Sequence, residues 1–252
     1  MSTEQTSLKD RFRQTHPEGF FVTIDDIQGL ERYLRERRVI SPGQSLERIE
    51  SAGQGNMNLT LRIHLRSPEQ SLILKQARPW VEKYPTIAAP QDRLSTEAAF
   101  YGYLESVPEL RAMSPRLSLF DESSALIVME DLGPAPQLDS FYEYPGQAFK
   151  NISPGALARY LKALHGLALA IETPRLTNRA MRRLNHEYIF VQPFSDGAID
   201  HLKQVRPDLV PFFDRQVREN PALRLAAAEL GELYLEDGAH LVHGDFFPGA
   251  WI

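Results

Sequence analysis

The sequence has 252 residues, 42% of them hydrophobic, which is enough chain and apolar content for two compact lobes with buried cores. Its net charge of −5 argues against a broad basic face for nucleic acid, so we expect small-molecule partners. The absence of cysteine excludes disulfides and cysteine-bound metals. Residues 1–10 contain no apolar signal core and no long apolar run occurs elsewhere, so we expect a cytoplasmic protein that does not enter a membrane.

The first element in chain order is a predicted helix over residues 24–38. Its apolar side chains recur at the spacing of one helix face: Ile27, Leu30 and Leu34. Thr23 or Asp25 would cap its first turn, because either side chain can accept a hydrogen bond from a free backbone N–H group.

A glycine-rich segment over residues 53–58 follows, between residues 46–49 (Leu-Glu-Arg-Ile) and an alternating run at 59–65. Period-two alternation of this kind is typical of a half-buried strand, so the glycines are predicted in a loop that joins two strands. A dinucleotide fold is disfavoured, because its glycine-rich turn opens a helix. The loop could cover phosphates with backbone N–H groups, or be an ordinary hairpin turn, since Gly and Asn are common turn residues.

The next predicted strand, residues 71–77, ends its apolar run on a single lysine, Lys75. Such a lysine is usually a solvated charge, but in a nucleotide site it would bind phosphate oxygens and need an acidic partner. Glu97 is the candidate partner, next to the apolar stripe of a predicted helix over residues 93–104. The proline-rich residues 79–90 between them are predicted as a loop.

A further strand is predicted at residues 127–132, ending in a turn before Pro134. Residues 134–154 are rich in turn residues and would join a smaller lobe to a larger one. Helical patterns then recur in three segments: 153–168, 209–217 and 221–235.

The apolar run at residues 239–242 is predicted as a strand that delivers Asp245 on a turn with Gly244. A carboxylate in that place suits a general base. The alternative is a hydrogen-bonded histidine, His243, followed by a turn-forming Gly-Asp pair. A zinc enzyme is disfavoured, because His186 has no second His four residues on. A serine hydrolase is disfavoured, because the sequence has no Gly-x-Ser-x-Gly motif.

In this order the motifs resemble the aminoglycoside phosphotransferase and choline kinase superfamily. The segments 53–58, 74–77 and 185–190 are most similar to methylthioribose kinases. The resemblance implies an α+β, two-lobed, protein-kinase-like fold. Its N-terminal lobe, residues 1–132, would hold a small antiparallel sheet and the nucleotide, and its C-terminal lobe, residues 133–252, would be mainly helical and incomplete.

The resemblance also implies a role for each motif. One set of loop residues would cover the phosphates of ATP: Gly53, Gln54, Gly55, Asn56 and Asn58. Lys75 would contact the phosphates and pair with Glu97. A hinge would meet the adenine through its backbone: Met129, Glu130 and Leu132. Asp245 would orient or deprotonate a hydroxyl of a small-molecule acceptor, a sugar or an amino alcohol, with Mg²⁺ bridging the phosphates.

Three departures from the family pattern concern the metal. Position 250 is Ala where the family usually has Asn as a magnesium ligand, and position 247 is Phe where His is common. The family's metal-binding Asp lies farther on than Ile252. We therefore expect a fragment of a longer kinase that does not transfer phosphate by itself. The alternative is an inert nucleotide-binding module, similar to a pseudokinase.

Overall fold

The computed structural model describes these residues: 3–53, 55–66, 69–133, 154–167, 174–246 and 248–250. The chain divides into two compact units, Thr177–Gly238 and the remainder, which is Met1–Leu176 with Ala239–Ile252. In the part that is described, no helix is long and apolar enough to cross a membrane.

The first unit is built on an antiparallel sheet of five strands in the order β1-β2-β3-β7-β6. These strands are β1 (Ser45–Ser51), β2 (Leu59–Arg66), β3 (Gln70–Gln76), β6 (Leu117–Asp121) and β7 (Leu126–Glu130). A separate hairpin consists of β4 (Trp80–Val81) and β5 (Tyr84–Ala88). The sheet together with the helices confirms the predicted α+β class and the strand-to-strand position of the glycine-rich loop.

The helices of the first unit are α1 (Thr3–Thr15), α2 (Ile27–Glu36), α3 (Arg93–Leu104), α4 (Pro108–Arg111) and α5 (Pro154–His165), with short 3₁₀ turns at Pro174–Thr177 and Pro248–Ala250. Those of the second unit are α6 (Arg179–His186), α7 (Asp196–Val205), α8 (Val210–Phe213) and α9 (Pro221–Leu235). Shorter π and 3₁₀ turns connect them, at Glu187–Val191, Gln192–Phe194, Pro207–Leu209 and Asp214–Arg218.

Alternate residues of the sheet serve two different cores, as the two-residue period of a strand requires. One face packs leucines of β2 and β3 against Leu30 and Leu34 of α2. The other face packs Ile127 and Met129 of β7 against the buried side of α3. Lys75 follows Leu74 in β3 and therefore lies on the face that α3 covers.

Helix α2 begins later than predicted, at Ile27 rather than residue 24, and its cap is Asp26. The Asp26 Oδ1 atom accepts a hydrogen bond of 2.8 Å from the Gly29 backbone N–H group. The helix ends before Arg38, which has a φ of +59° and so lies in the left-handed region that an α-helix does not use. The predicted caps Thr23 and Asp25 and the longer span were wrong.

Residues 79–90, predicted as a loop, contain the β4–β5 hairpin. The hairpin is held by α1, because Phe12, Phe21 and Trp80 form a buried cluster and Arg11 Nη1 donates to the Pro85 carbonyl oxygen at 2.7 Å. Strand β4 has two residues, which is too few to produce an alternating pattern that could be recognised in the sequence.

The end of α3 shares a third cluster with α4 and α5: Leu104, Leu110, Tyr160, Leu164 and Leu241. Leu241 thereby anchors the segment that carries Asp245 within the first unit. The strand predicted at 239–242 was wrong, because only His240 makes a β-bridge and the next residues have no regular structure. The predicted lobes, 1–132 and 133–252, stay a prediction.

In the second unit, Gly231 of α9 lies against α6. A Cβ atom at this position would lie 2.8 Å from His186 Nε2, so the helices can approach this closely only because the residue is glycine. Helix α9 has the predicted span, but its leucine stripe is exposed in the described structure, including Leu230 and Leu233.

Candidate functional site

The structure brings Lys75 and Glu97 together. Lys75 Nζ lies 2.6 Å from Glu97 Oε1, and about a quarter of each side chain is exposed. The strand register explains why the two side chains meet. Lys75 lies between Thr60 of β2 and Ile127 of β7 and points to the α3 side of the sheet. A positive charge oriented by a carboxylate and still open to solvent can receive an anion. The contact with phosphate stays a prediction.

The glycine-rich loop joins β1 to β2 beside this pair. Gly53 has a φ of +72°, the left-handed conformation that glycine adopts without strain, and open space surrounds the Cα atoms of Gly53 and Gly55. Residues 55 and 56 are exposed and Asn58 is half-buried. Gln54 lies outside the described residues. Open backbone of this kind can offer N–H groups to an anion.

The β4–β5 hairpin contacts the same loop through backbone hydrogen bonds. The Lys83 N–H group donates to the Asn56 carbonyl oxygen at 3.1 Å, and the Glu82 N–H group donates to the Met57 carbonyl oxygen at 3.4 Å. The second half of the loop is therefore supported from outside the sheet, whereas a Cβ atom at Gly53 or Gly55 would meet no atom within 4 Å.

The predicted hinge lies at the end of β7. Met129 is buried, Glu130 is exposed, and the Leu132 side chain is half-exposed. The Glu130 N–H group donates to the Arg116 carbonyl oxygen at 2.8 Å, so it cannot also donate to an adenine. Adenine recognition at Glu130 would have to use its carbonyl oxygen.

A charge pair fixes this hinge. The Asp131 carboxylate accepts hydrogen bonds from Arg62 Nε at 2.6 Å and Arg62 Nη2 at 3.2 Å, and from the Gly133 N–H group at 3.0 Å. Burial raises the pKa of Asp131, but the bonds from Arg62, Ser71 and Gly133 outweigh it and hold the pKa below its usual value. No pattern in the sequence predicts that Arg62 and Asp131 form a pair.

Asp245 is exposed, and Gly244 before it has a φ of +79°. The Asp245 N–H group donates to His243 Nδ1 at 3.3 Å, so this ring nitrogen is the acceptor. Burial lowers the pKa of His243, and the nearby Asp245 carboxylate does not cancel that effect. His240 Nδ1 donates to the His165 carbonyl oxygen at 3.0 Å, which ties the segment to α5. The structure is compatible with both alternatives for Asp245, because the turn is present and the carboxylate is accessible. The role of Asp245 as a base therefore stays a prediction.

The described residues do not form a magnesium site by themselves. Among them, no group of three or more His, Asp and Glu side chains is placed to hold a metal ion. Ala250, in the final turn, offers no side-chain oxygen, and Mg²⁺ requires oxygen ligands. Phe247 lies outside the described residues.

Sequence reasoning missed Arg93, the first residue of α3. Its side chain is buried and its guanidinium contacts the glycine-rich loop. One signal was available, because a positive charge in the first turn of a helix opposes the helix dipole and needs a compensating reason.

No family model matches the chain. Methylthioribose kinases do match it. That of Bacillus velezensis is 27% identical over 211 residues, with 79% of this chain and 51% of the kinase covered. Those of Cronobacter sakazakii and Yersinia enterocolitica are 25% identical over 236 residues and 27% identical over 239 residues, each match covering 86% of this chain and 55% of the kinase. The chain thus spans about half the length of the curated relatives it matches.

A solved aminoglycoside phosphotransferase, in a ternary complex with streptomycin and ATP, has a TM-score of 0.35 and 13% identity, with 81% of this chain and 61% of that one covered. A likeness of this size carries no argument. The methylthioribose kinases match through most of this chain. The resemblance to methylthioribose kinases is therefore confirmed.

Proposed function

We propose that this chain carries the nucleotide site of a small-molecule kinase that transfers a phosphoryl group from ATP to a hydroxyl group. The observation that carries the proposal is the Lys75–Glu97 pair, 2.6 Å apart on the α3 face of the sheet, beside an open glycine-rich loop. Because the proposed donor is ATP, we place the protein in the cytoplasm. The similarity to methylthioribose kinases favours a sugar hydroxyl as the acceptor.

Each group then has one task. The N–H groups of residues 53–58 and the Lys75 ammonium bind phosphate oxygens, while Glu97 orients the lysine. The acceptor oxygen forms a bond to the γ-phosphorus, the bond from that phosphorus to the ADP oxygen breaks, and ADP leaves with the electron pair. The hydroxyl proton passes to the Asp245 carboxylate. In this reaction class the protein acts mainly by positioning and electrostatics.

The test is calorimetric titration of the chain with ATP, before and after Lys75→Met. A charge-assisted hydrogen bond is worth about 1.5–3 kcal/mol, so we expect the variant to bind ATP roughly 10- to 100-fold more weakly. Lys203→Met is the matched control, because Lys203 also lies near a carboxylate, that of Asp200 at 3.1 Å, but on α7 of the other unit. Equal affinities in the parent and in Lys75→Met would contradict the site.

A second candidate is a nucleotide-binding module that does not transfer phosphate. Ala250 favours it, because the position that supplies Asn in the family has no side-chain oxygen here. Incubation of the full-length protein with γ-labelled ATP, magnesium and a panel of sugars and amino alcohols, methylthioribose included, separates the two. Labelled sugar supports the kinase, whereas tight ATP binding without product supports the module.

A further inference from the structure

Arg93 occupies an unusual place for a charged residue. It is the first residue of α3, and only 6% of it is exposed. All three of its guanidinium nitrogens donate hydrogen bonds. Nε donates to Asn58 Oδ1 at 2.6 Å; Nη1 donates to the carbonyl oxygens of Pro90 at 2.5 Å and Arg78 at 3.0 Å; Nη2 donates to those of Met57 at 3.0 Å and Trp80 at 3.5 Å.

These five acceptors are neutral, so the buried cation is solvated by the chain itself. Burial lowers the pKa of Arg93 to about 10, which still leaves the side chain protonated at neutral pH. Its position in the first turn of α3 is unfavourable for a positive charge, because the N-terminal end of a helix is itself positive. A planar fork with donors in several directions, which only arginine has, is what joins these acceptors.

The acceptors belong to two places. Asn58 and Met57 lie in the second half of the glycine-rich loop, whereas Arg78, Trp80 and Pro90 flank or belong to the β4–β5 hairpin. Arg93 itself is one turn before Glu97 on the same helix. A single side chain thus connects the loop to the helix that positions Lys75.

We propose that Arg93 is a positioning residue that fixes the glycine-rich loop at one distance from the Lys75–Glu97 pair. The inference deepens the proposed function, on which it rests, by adding a residue that touches no nucleotide. The loop's own geometry supports it: Gly53 and Gly55 have open space around them, and the backbone bonds from the hairpin are of 3.1 and 3.4 Å, whereas Arg93 supplies charge-assisted bonds. Without Arg93 the loop would lose these charge-assisted bonds and keep the weaker backbone bonds from the hairpin.

The first measurement is hydrogen exchange by mass spectrometry on the unliganded chain, in the parent and in Arg93→Lys. Lysine keeps the charge but cannot reproduce the fork, so we expect exchange in peptides over residues 52–58 to rise about tenfold, with exchange in β2 and β3 unchanged. A purely stabilising role would instead raise exchange through the whole sheet. Tyr33→Phe is the control, since its hydroxyl donates to Asp121 on the opposite face of the sheet.

Asn58→Ala keeps the inference falsifiable if the Arg93 variants do not fold, because it removes one acceptor and leaves the buried guanidinium with four. It should raise loop exchange, and Asn58→Asp, which retains the acceptor, should not. Unchanged loop exchange in Asn58→Ala, or a uniform rise in Arg93→Lys, would overturn the proposal.

Titration with ATP then separates a failure of the role proposed for Arg93 from a failure of the proposed nucleotide site. Weaker ATP binding by Arg93→Lys with a more mobile loop supports both the anchor and the nucleotide site. If the parent chain binds no ATP, the proposed function fails, while the exchange result still decides whether Arg93 fixes the loop.

Discussion

Replacement of Arg62 by Met should destabilise the hinge, because it leaves the Asp131 carboxylate buried without its cation. Only 3% of the Asp131 side chain is exposed, and 27% of the Arg62 side chain. Breaking a fully buried pair costs about 3–5 kcal/mol. Because solvent reaches Arg62, and because Gly133 N–H still bonds Asp131, we expect a smaller loss of about 2–3 kcal/mol in the free energy of unfolding.

Urea unfolding followed by tryptophan fluorescence measures this loss in the relevant unit. Trp80, which is buried, belongs to the unit that contains the pair. The double variant Arg62→Met/Asp131→Asn should recover about half of the loss, since no unpaired charge is then buried. A stability of Arg62→Met within about 0.5 kcal/mol of the parent would refute the reasoning. So would a double variant whose loss equals the sum of the losses of Arg62→Met and Asp131→Asn measured singly.

The pH dependence of the same pair has a definite sign. The folded-state pKa of Asp131 is depressed, so its contribution to stability is present above its unfolded pKa, about 3.9, and is lost as pH falls through the folded value. In Arg62→Met that pKa should rise, because the hydrogen bonds and charge of Arg62 no longer lower it. The stability difference between parent and variant should therefore shrink as the buffer is acidified below about pH 4, and a difference that grows there would contradict the assignment.

Three further changes have defined outcomes. In the full-length protein, Asp245→Asn should lower the rate of phosphoryl transfer by about 10²–10⁴ and leave ATP affinity within twofold, and a normal rate would assign Asp245 to its turn alone. Gly53→Ala should cost roughly 1–2 kcal/mol of stability through its positive φ, without a steric clash, so an unchanged urea midpoint would contradict that backbone assignment. Arg179 and Arg182 lower the pKa of Asp237 to about 2, so stability of the second unit should fall from about pH 4 to pH 2, and Asp237→Asn should reduce that acid-dependent loss in a circular dichroism titration.

Strands β2 and β3 were predictable from the sequence because they bury alternate residues. That alternation placed Lys75 on the opposite face from Leu74, and the helical stripe placed Glu97 beside it. Both facts are local, and the pairing of Lys75 with Glu97 was itself implied by the family resemblance.

The supports of the site were not predictable in the same way. The β4–β5 hairpin is too short to show a period, and Arg93 is buried only because carbonyl groups from three segments surround it. Arg62 and Asp131 are 69 positions apart and meet through strand register. The apolar run before Asp245 wrongly predicted a strand. Leu241 is apolar because it packs on α5, and not because it pairs in a sheet.

The most direct test of the nucleotide site is to find which lysine lies beside the phosphates of bound ATP. An acyl phosphate of ATP carries a mixed anhydride at its terminal phosphate, and a nearby lysine amine attacks the acyl carbon, forms an amide and releases ATP. Mass spectrometry of the labelled chain should locate the amide on Lys75, and excess ATP should abolish it. Labelling that spreads over surface lysines such as Lys203, or that persists in excess ATP, would contradict the account.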